Sequence, residues 1–312
     1  MSEQIPRAVV IGGGTMGSGI ALVFSAGGWT VDIVEPSAKR RAALPVFLED
    51  SRRRMGAPAG GRIGVVAALT DVAWNGVDLV SESAPEDIAV KQEVFAALER
   101  LAPAQAPLTS NSSTLLISDI GRGLETRSRM LGLHFLMPAQ FVPLVEVIGS
   151  EHTDPKLIDR MCELMRRLGK RPVRVNRDLI GFLVNRIQSA LMREAISLIE
   201  KGVASAEDID AAVRYGFGFR YAACGPITQK EHSGWDISCK LYRAVFPTLC
   251  NDARPSPLIE QMIAAGHYGM KVGQGFMQWD DAGIAREKAR YEKALRATLA
   301  ILETDSSVSG KG

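Results

Sequence analysis

Residues Ala8 to Ala21, AVVIGGGTMGSGIA, place an apolar run, a glycine-rich turn and the start of an apolar-faced helix in direct succession. Gly12, Gly14 and Gly17 fall on the three glycine positions of G-x-G-x-x-G. The first permits a tight turn, the second lets the backbone approach a pyrophosphate, and the third allows close helix–strand packing. Val9 to Ile11 supply the strand and Ile20 to Phe24 the packing face of the helix. Thr15 and Met16 complete the turn, and phosphates would sit on the free N–H groups of the helix N-terminus. A second apolar stretch, Thr30 to Glu35, ends in an acid eighteen residues after Gly17. A carboxylate there accepts both adenosine ribose hydroxyls and repels a 2′-phosphate, so NAD is favoured over NADP. Arg40 and Arg41 read as the solvated face of a helix starting near Ser37.

At 312 residues the chain exceeds one typical core, and two domains are expected. A net charge of +2 gives no large single-sign field, so neither nucleic acid nor a membrane surface is implied as a partner. No apolar run reaches membrane-spanning length, and the N-terminus lacks a basic region followed by an apolar stretch, so secretion is not indicated. Cys162, Cys224, Cys239 and Cys250 show neither C-x-x-C spacing nor disulfide-framework density. They read as free thiols in a reducing cytoplasm, and no metal site is expected.

Apolar runs alternate with helical patterns through the first half, which argues an α/β fold: a Rossmann-like, doubly wound parallel sheet with helices on both faces. Strands are expected at 78–83, 107–111, 130–136, 144–148 and 172–175, with helices at 88–101 and 155–168. GAPAGGRIG (56–64) reads as a compact loop. From Gly181 the pattern is helical: 181–201, 206–215, 257–265 and 285–302. The last residues, TDSSVSGKG, are expected to be disordered. The chain therefore divides into a dinucleotide-binding domain, 1–179, and an all-helical C-terminal domain, 180–312.

Hydride chemistry on an alcohol needs a group that takes the hydroxyl proton as the carbinol hydride leaves. His134, near the end of the apolar strand in MLGLHFLMP, is the candidate. Glu146 follows in PLVEVI, within a second apolar strand. A carboxylate embedded there wants a partner, and it would orient an imidazole and stabilise its cation. His134 read alone is more often a satisfied core histidine. His152, His232 and His267 lie among polar or glycine residues and read as surface positions, with His232 kept as an outside candidate for the base.

Five motifs in order carry a resemblance to a known family: GGGTMGSGIA, SNSSTL (110–115), HFLMPAQFVPLVEV, GFLVNRI (181–187) and YGMKVGQGFMQW. The chain resembles the L-3-hydroxyacyl-CoA dehydrogenase family, including its lambda-crystallin/L-gulonate and L-carnitine dehydrogenase relatives, from about Arg7 to Trp279. The resemblance implies an NAD-dependent oxidoreductase with His134 as general base and Glu146 as its orienting partner. By the same resemblance Ser113 and Asn185 hydrogen-bond around the reacting oxygen, Glu86 and Lys91 lie on the cofactor side, and the helical domain forms a homodimer. Read without it, Ser113 caps a helix before LLISDI and Asn185 caps or bonds locally in its own.

Departures from the family pattern bear on substrate. Met137 stands where the H-F-x-N-P signature has an asparagine, and a thioether cannot replace an amide donor. SRRRMGAPAGGRIG (51–64) replaces the longer lysine-bearing excursion that helps cover the nucleotide part of CoA. YGFGFRYAACGP (215–226) is similar to the G-x-G-x-R-x-A-x-x-G segment of the branches that act on free carboxylates, so Arg220 would clamp a carboxylate. Its alternative is a surface or interface ion pair. The expected small-molecule substrate is a 3-hydroxy acid, free or as its CoA thioester, with the free acid favoured. Two other classes are weighed against it. A hydroxyisobutyrate-type reductase requires a lysine one helical turn before the asparagine, where Gly181 stands. A non-catalytic NAD-binding or structural protein of the crystallin kind would be expected to lose the His/Glu pair, and both members are present.

Overall fold

The computed structural model describes residues 5–56 and 60–306, and the chain divides into two compact units, Met1–Arg186 and Ile187–Gly312. In the first, Arg7–Ile11 (β1), Thr30–Val34 (β2), Ile63–Val66 (β3), Leu79–Glu82 (β4), Leu108–Ser110 (β5), Met130–Phe135 (β6), Leu144–Ile148 (β7) and Arg171–Val175 (β8) form one sheet. Its order is β3-β2-β1-β4-β5-β6-β7-β8. Helices Thr15–Ala26 (α1), Ala38–Met55 (α2), Ile88–Leu101 (α3), Ile117–Ile120 (α4) and Pro155–Arg167 (α5) connect the strands.

Alternation along each strand assigns side chains to two faces. Ala8, Val10, Leu131 and Leu133 join α1, α2 and α5 in one buried cluster. Val9, Ile11, Val80 and Leu108 join α3 and α4 in the other. Strands covered on both faces need continuous apolar runs, which is why β1 reads AVVI without polar interruption.

Strands β1 to β6 are mutually parallel, but β7 pairs antiparallel with β6, and β8 runs parallel to β7. The expected all-parallel sheet is corrected here for a simple reason. Residues 136–143 are the whole link between β6 and β7, and a parallel crossover needs about a dozen residues or more. A second correction is β3, which occupies the end of the stretch read as a loop; 57–59 of that stretch lie outside the described residues.

Because β1, β4, β5 and β6 run the same way, Ile11 pairs with Glu82, Glu82 with Ser110, and Ser110 with Gly132. The glycine turn, Glu82, the serine-rich loop and His134 therefore emerge at one carboxyl edge, where ligands of doubly wound sheets bind.

The helix expected from Gly181 begins at Val184 (α6, Val184–Glu200). Gly181 and Phe182 before it are left-handed, with φ of 77° and 47°. The second unit carries Ala206–Ala211 (α7), Pro226–Ser233 (α8), Trp235–Val245 (α9), Pro257–Ala264 (α10) and Asp281–Ser306 (α11). The helix expected over 206–215 ends at Ala211, and a π-helical segment follows over Ala212–Phe217. The helix expected over 285–302 is longer at both ends, and 307–312 of the tail expected to be disordered lie outside the described residues.

Among described residues from 187 onward, those buried are Ala195, Ser197 and Ser238, whereas Ile187, Tyr215, Phe219, Ile227, Ile237 and Phe246 are exposed. No described helix is long and apolar enough to cross a membrane, and all four cysteines are free.

Candidate active site

The glycine turn has the stereochemistry its spacing requires. Gly12 has φ 95°, and a Cβ there would lie 2.5 Å from the Ser83 carbonyl oxygen. One on Gly17 would lie 1.8 Å from the Gly12 oxygen, so α1 packs against the turn only because Gly17 lacks a side chain. At Gly14 a Cβ meets nothing within 4 Å. Gly14 is also the N-cap of α1, with no capping side chain and no acid in the first turn. The first N–H groups of the helix are thus left for an anionic ligand.

Beside the turn lies a cavity of about 720 Å³ lined by Gly12, Gly14, Thr15, Glu35, Arg40 and Ser83 among others. Buried Glu35 accepts the Gly13 N–H at 2.9 Å and the Ser37 N–H at 2.8 Å. The Ser83 hydroxyl is buried with no partner among the described residues. An open cradle at Gly14, a fixed carboxylate and an unpaired hydroxyl fit a dinucleotide. Arg40 is exposed on α2, as its reading as a solvated helix face expects, and it also lines the cavity 3.8 Å from Glu35. Arg41 donates to the Glu35 and Pro36 carbonyls.

His134 and Glu146 are cross-strand partners in the β6/β7 ladder. This register puts their side chains on one face. His134 Nδ1 lies 2.6 Å from Glu146 Oε2, and the two residues are 4% and 0% exposed. A carboxylate on Nδ1 selects the Nδ1–H tautomer and leaves Nε2 as the ring's acceptor. The other oxygen, Oε1, accepts the N–H groups of Leu183 at 2.8 Å and Val184 at 3.0 Å. Burial raises the Glu146 pKa, but the hydrogen bonds from His134, Val184 and Leu183 and the imidazole charge outweigh it. The net result is a carboxyl held below its ordinary range.

A second cluster adjoins the first through α6. Asn185 Nδ2 donates to the Ser113 carbonyl at 3.3 Å. Glu86 Oε1 accepts the Ser112 hydroxyl at 2.7 Å, the N–H groups of Ser113 and Thr114 at 2.8 and 2.7 Å, and the Ser113 hydroxyl at 3.3 Å. Desolvation pushes the Glu86 pKa up, yet these donors and the Lys91 charge bring it down to about 2. Lys91 Nζ is buried, 2.7 Å from Glu82 Oε1 and 3.5 Å from Glu86 Oε2. Glu82 is fully buried, and its Oε2 accepts the Ser110 hydroxyl at 2.6 Å.

Sequence reasoning missed Glu82, whose signal was an acid at the end of an apolar strand, the same signal that marked Glu35. It also missed Asn111, whose Oδ1 accepts the Phe135 N–H and so pins the strand end beside His134. Met137 is exposed. Arg220 lies on the surface of the second unit, in a short 3-10 segment, Gly218–Ala222.

Residues 7–179 match the family described as "3-hydroxyacyl-CoA dehydrogenase, NAD binding domain", and residues 181–279 match its C-terminal domain. The chain is 31% identical to 5-formyl-3-hydroxy-2-methylpyridine 4-carboxylate 5-dehydrogenase of Mesorhizobium japonicum, over 96% of this chain and 99% of that protein. It is 33% identical to human mitochondrial hydroxyacyl-coenzyme A dehydrogenase, over 88% and 91% of the two chains. A crystal structure of a 5-dehydrogenase of the former kind, described as an NAD+-dependent dismutase, superposes with a TM-score of 0.90 at 29% identity, covering 96% of this chain and 99% of that one.

Proposed function

This chain belongs to the 3-hydroxyacyl-CoA dehydrogenase family and is an NAD-dependent oxidoreductase, and from that premise we propose that it oxidises the 3-hydroxyl of a carboxylate-bearing 3-hydroxy acid to the 3-oxo product. The single observation that carries the reading is the buried His134–Glu146 pair at 2.6 Å, at the edge of the sheet that also bears the glycine turn. His134 Nε2 takes the hydroxyl proton as the C–H hydride departs. Glu146 holds the opposite nitrogen and stabilises the imidazolium that forms. Bound NAD+ supplies the hydride acceptor. Ser113 and Asn185 flank the reacting oxygen, and Lys91 with Glu86 lies on the cofactor side. Residues 1–179 serve cofactor binding, and 180–312 serve substrate binding and dimerisation.

Free carboxylate is favoured over thioester by the short 51–64 region, by Met137 and by Arg220, whose planar guanidinium suits a bidentate carboxylate contact. The apolar faces left open in the second unit support a homodimer, since exposed apolar surface of that extent marks an interface. Four free thiols suit a reducing cytoplasm.

A second reading is favoured by the near full-length similarity to the pyridine carboxylate 5-dehydrogenase. A hydrated aldehyde also presents a carbinol C–H and an O–H, so the same base would convert an aldehyde bearing a carboxylate to the acid. Rates of NADH formation from 3-hydroxybutyrate, 3-hydroxybutyryl-CoA and 5-formyl-3-hydroxy-2-methylpyridine 4-carboxylate separate the readings. A free carboxylate should give the highest kcat/KM, and Arg220→Lys should lower it. A clear win for the thioester with a silent arginine change overturns the substrate reading.

A further inference from the structure

Phe182 is the one non-glycine residue with positive φ among those described, at 47°, directly after Gly181 at 77°. A bulky aromatic in this region is costly and persists only when its surroundings impose it. Phe182 is fully buried, its N–H donates to the Leu179 carbonyl at 3.1 Å, and its ring centroid lies 5.6 Å from that of His134, tilted by 56°. The two N–H groups that follow it converge on Glu146 Oε1. A left-handed residue followed by one that is not, as Phe182 is by Leu183, turns successive N–H groups toward one point, forming an anion-binding concavity. Here the anion is the carboxylate that holds the proposed base.

We propose that Phe182 is a positioning residue for the His134–Glu146 pair. Its left-handed backbone aims the Leu183 and Val184 N–H groups at Glu146, and its ring bounds the imidazole. This rests on the reading of His134 as the base. With Oε1 occupied by two fixed donors, Oε2 faces His134 in one orientation, and the imidazole keeps one tautomer. No other charged side chain among the described residues is bonded to either member of the pair.

The test separates backbone conformation from bulk. Glycine takes positive φ without penalty, whereas valine resists it; packing alone ranks them the other way, because glycine removes more volume. The full chain, saturated with NAD+ and labelled with 15N-histidine, is followed by NMR through a pH titration, with His134 identified by the signals lost in His134→Gln. Phe182→Gly and Phe182→Asn are expected to keep the Nδ1–H tautomer and a midpoint close to wild type. Phe182→Val is expected to mix tautomers and to raise the midpoint by about one pH unit, a tenfold change in proton affinity, because Glu146 loses its donors and binds the imidazolium more tightly. If the valine variant does not fold, Phe182→Ile, which is β-branched like valine and keeps more apolar volume, replaces it with the same expectation. Valine or isoleucine tracking wild type, or glycine displaced further than valine, overturns the proposal. Turnover retained in His134→Ala would remove the base assignment while leaving this titration intact, so the two failures are distinct.

Discussion

The three glycines of the turn should separate stability from cofactor affinity. Gly17→Ala puts a Cβ 1.8 Å from the Gly12 oxygen and 3.3 Å from a Val10 methyl. Neither neighbour can yield without moving α1 off β1. Overpacking of this kind costs about 1–3 kcal/mol, or roughly 2–12 °C in melting temperature for a unit of this size. Gly12→Ala combines a 2.5 Å approach to Ser83 with φ 95°, and belongs in the same range. Gly14→Ala differs in kind: φ is −70° and the Cβ meets nothing within 4 Å. The lost preference for glycine at the cap and the gain from a stiffer unfolded chain nearly cancel, so stability should stay within about 1 kcal/mol. The methyl instead takes space proposed for the pyrophosphate. Losing one charge-assisted hydrogen bond of about 1.5–3 kcal/mol would raise the Kd for NAD+ by roughly 10- to 150-fold. Thermal melts without cofactor and calorimetric titration with NAD+ read both quantities. A Gly14→Ala protein that binds NAD+ as wild type does, or melts as low as Gly17→Ala, refutes this reading of the turn.

Glu35, held by the Gly13 and Ser37 N–H groups, should make NAD+ bind more tightly than NADP+. In Glu35→Ala the gap should narrow, with Arg40 free to meet a 2′-phosphate; calorimetry with both cofactors decides, and equal wild-type affinities refute it. Lys170 Nζ is buried on the Ala139 and Val142 carbonyls, and burial lowers its pKa to about 8. A folded pKa below the unfolded one means the unfolded chain binds more protons between about pH 8 and 10.5. The stability difference between wild type and Lys170→Met should therefore shift in favour of wild type across that window, by up to about 3 kcal/mol; a difference independent of pH contradicts it. Sedimentation should find a dimer at micromolar concentration, and a monomer there would leave the apolar faces of the second unit unexplained.

How much was legible in the sequence follows from how local each signal is. The glycine turn, Glu35 and the two strands bearing His134 and Glu146 are contiguous patterns, and β7 falls on the expected residues, 144–148. The antiparallel pairing that sets His134 opposite Glu146 is not a pattern but a consequence of link length. Ile63–Val66 was hidden by the glycines beside it, which read as loop. Phe182 was illegible because nothing in GFLVN marks an aromatic as left-handed; the turn it belongs to bonds Glu146, which is 37 and 38 residues from the donors Leu183 and Val184 in sequence. In the second unit α8, PITQKEHS, is short and carries Ile227 as its one large apolar residue, so it shows no period to read; α9, which spaces Ile237, Leu241 and Val245 four apart, carried a helical signal that went unread.

The most direct test of the account is turnover of His134→Ala on the best substrate of the free-acid, thioester and aldehyde panel, measured beside its NAD+ affinity. The account predicts that kcat falls by roughly 10²- to 10⁴-fold with the Kd for NAD+ unchanged, and that Glu146→Gln is milder but still impaired. Near-normal turnover in His134→Ala would contradict it, because the proton of the reacting hydroxyl would then leave by another route.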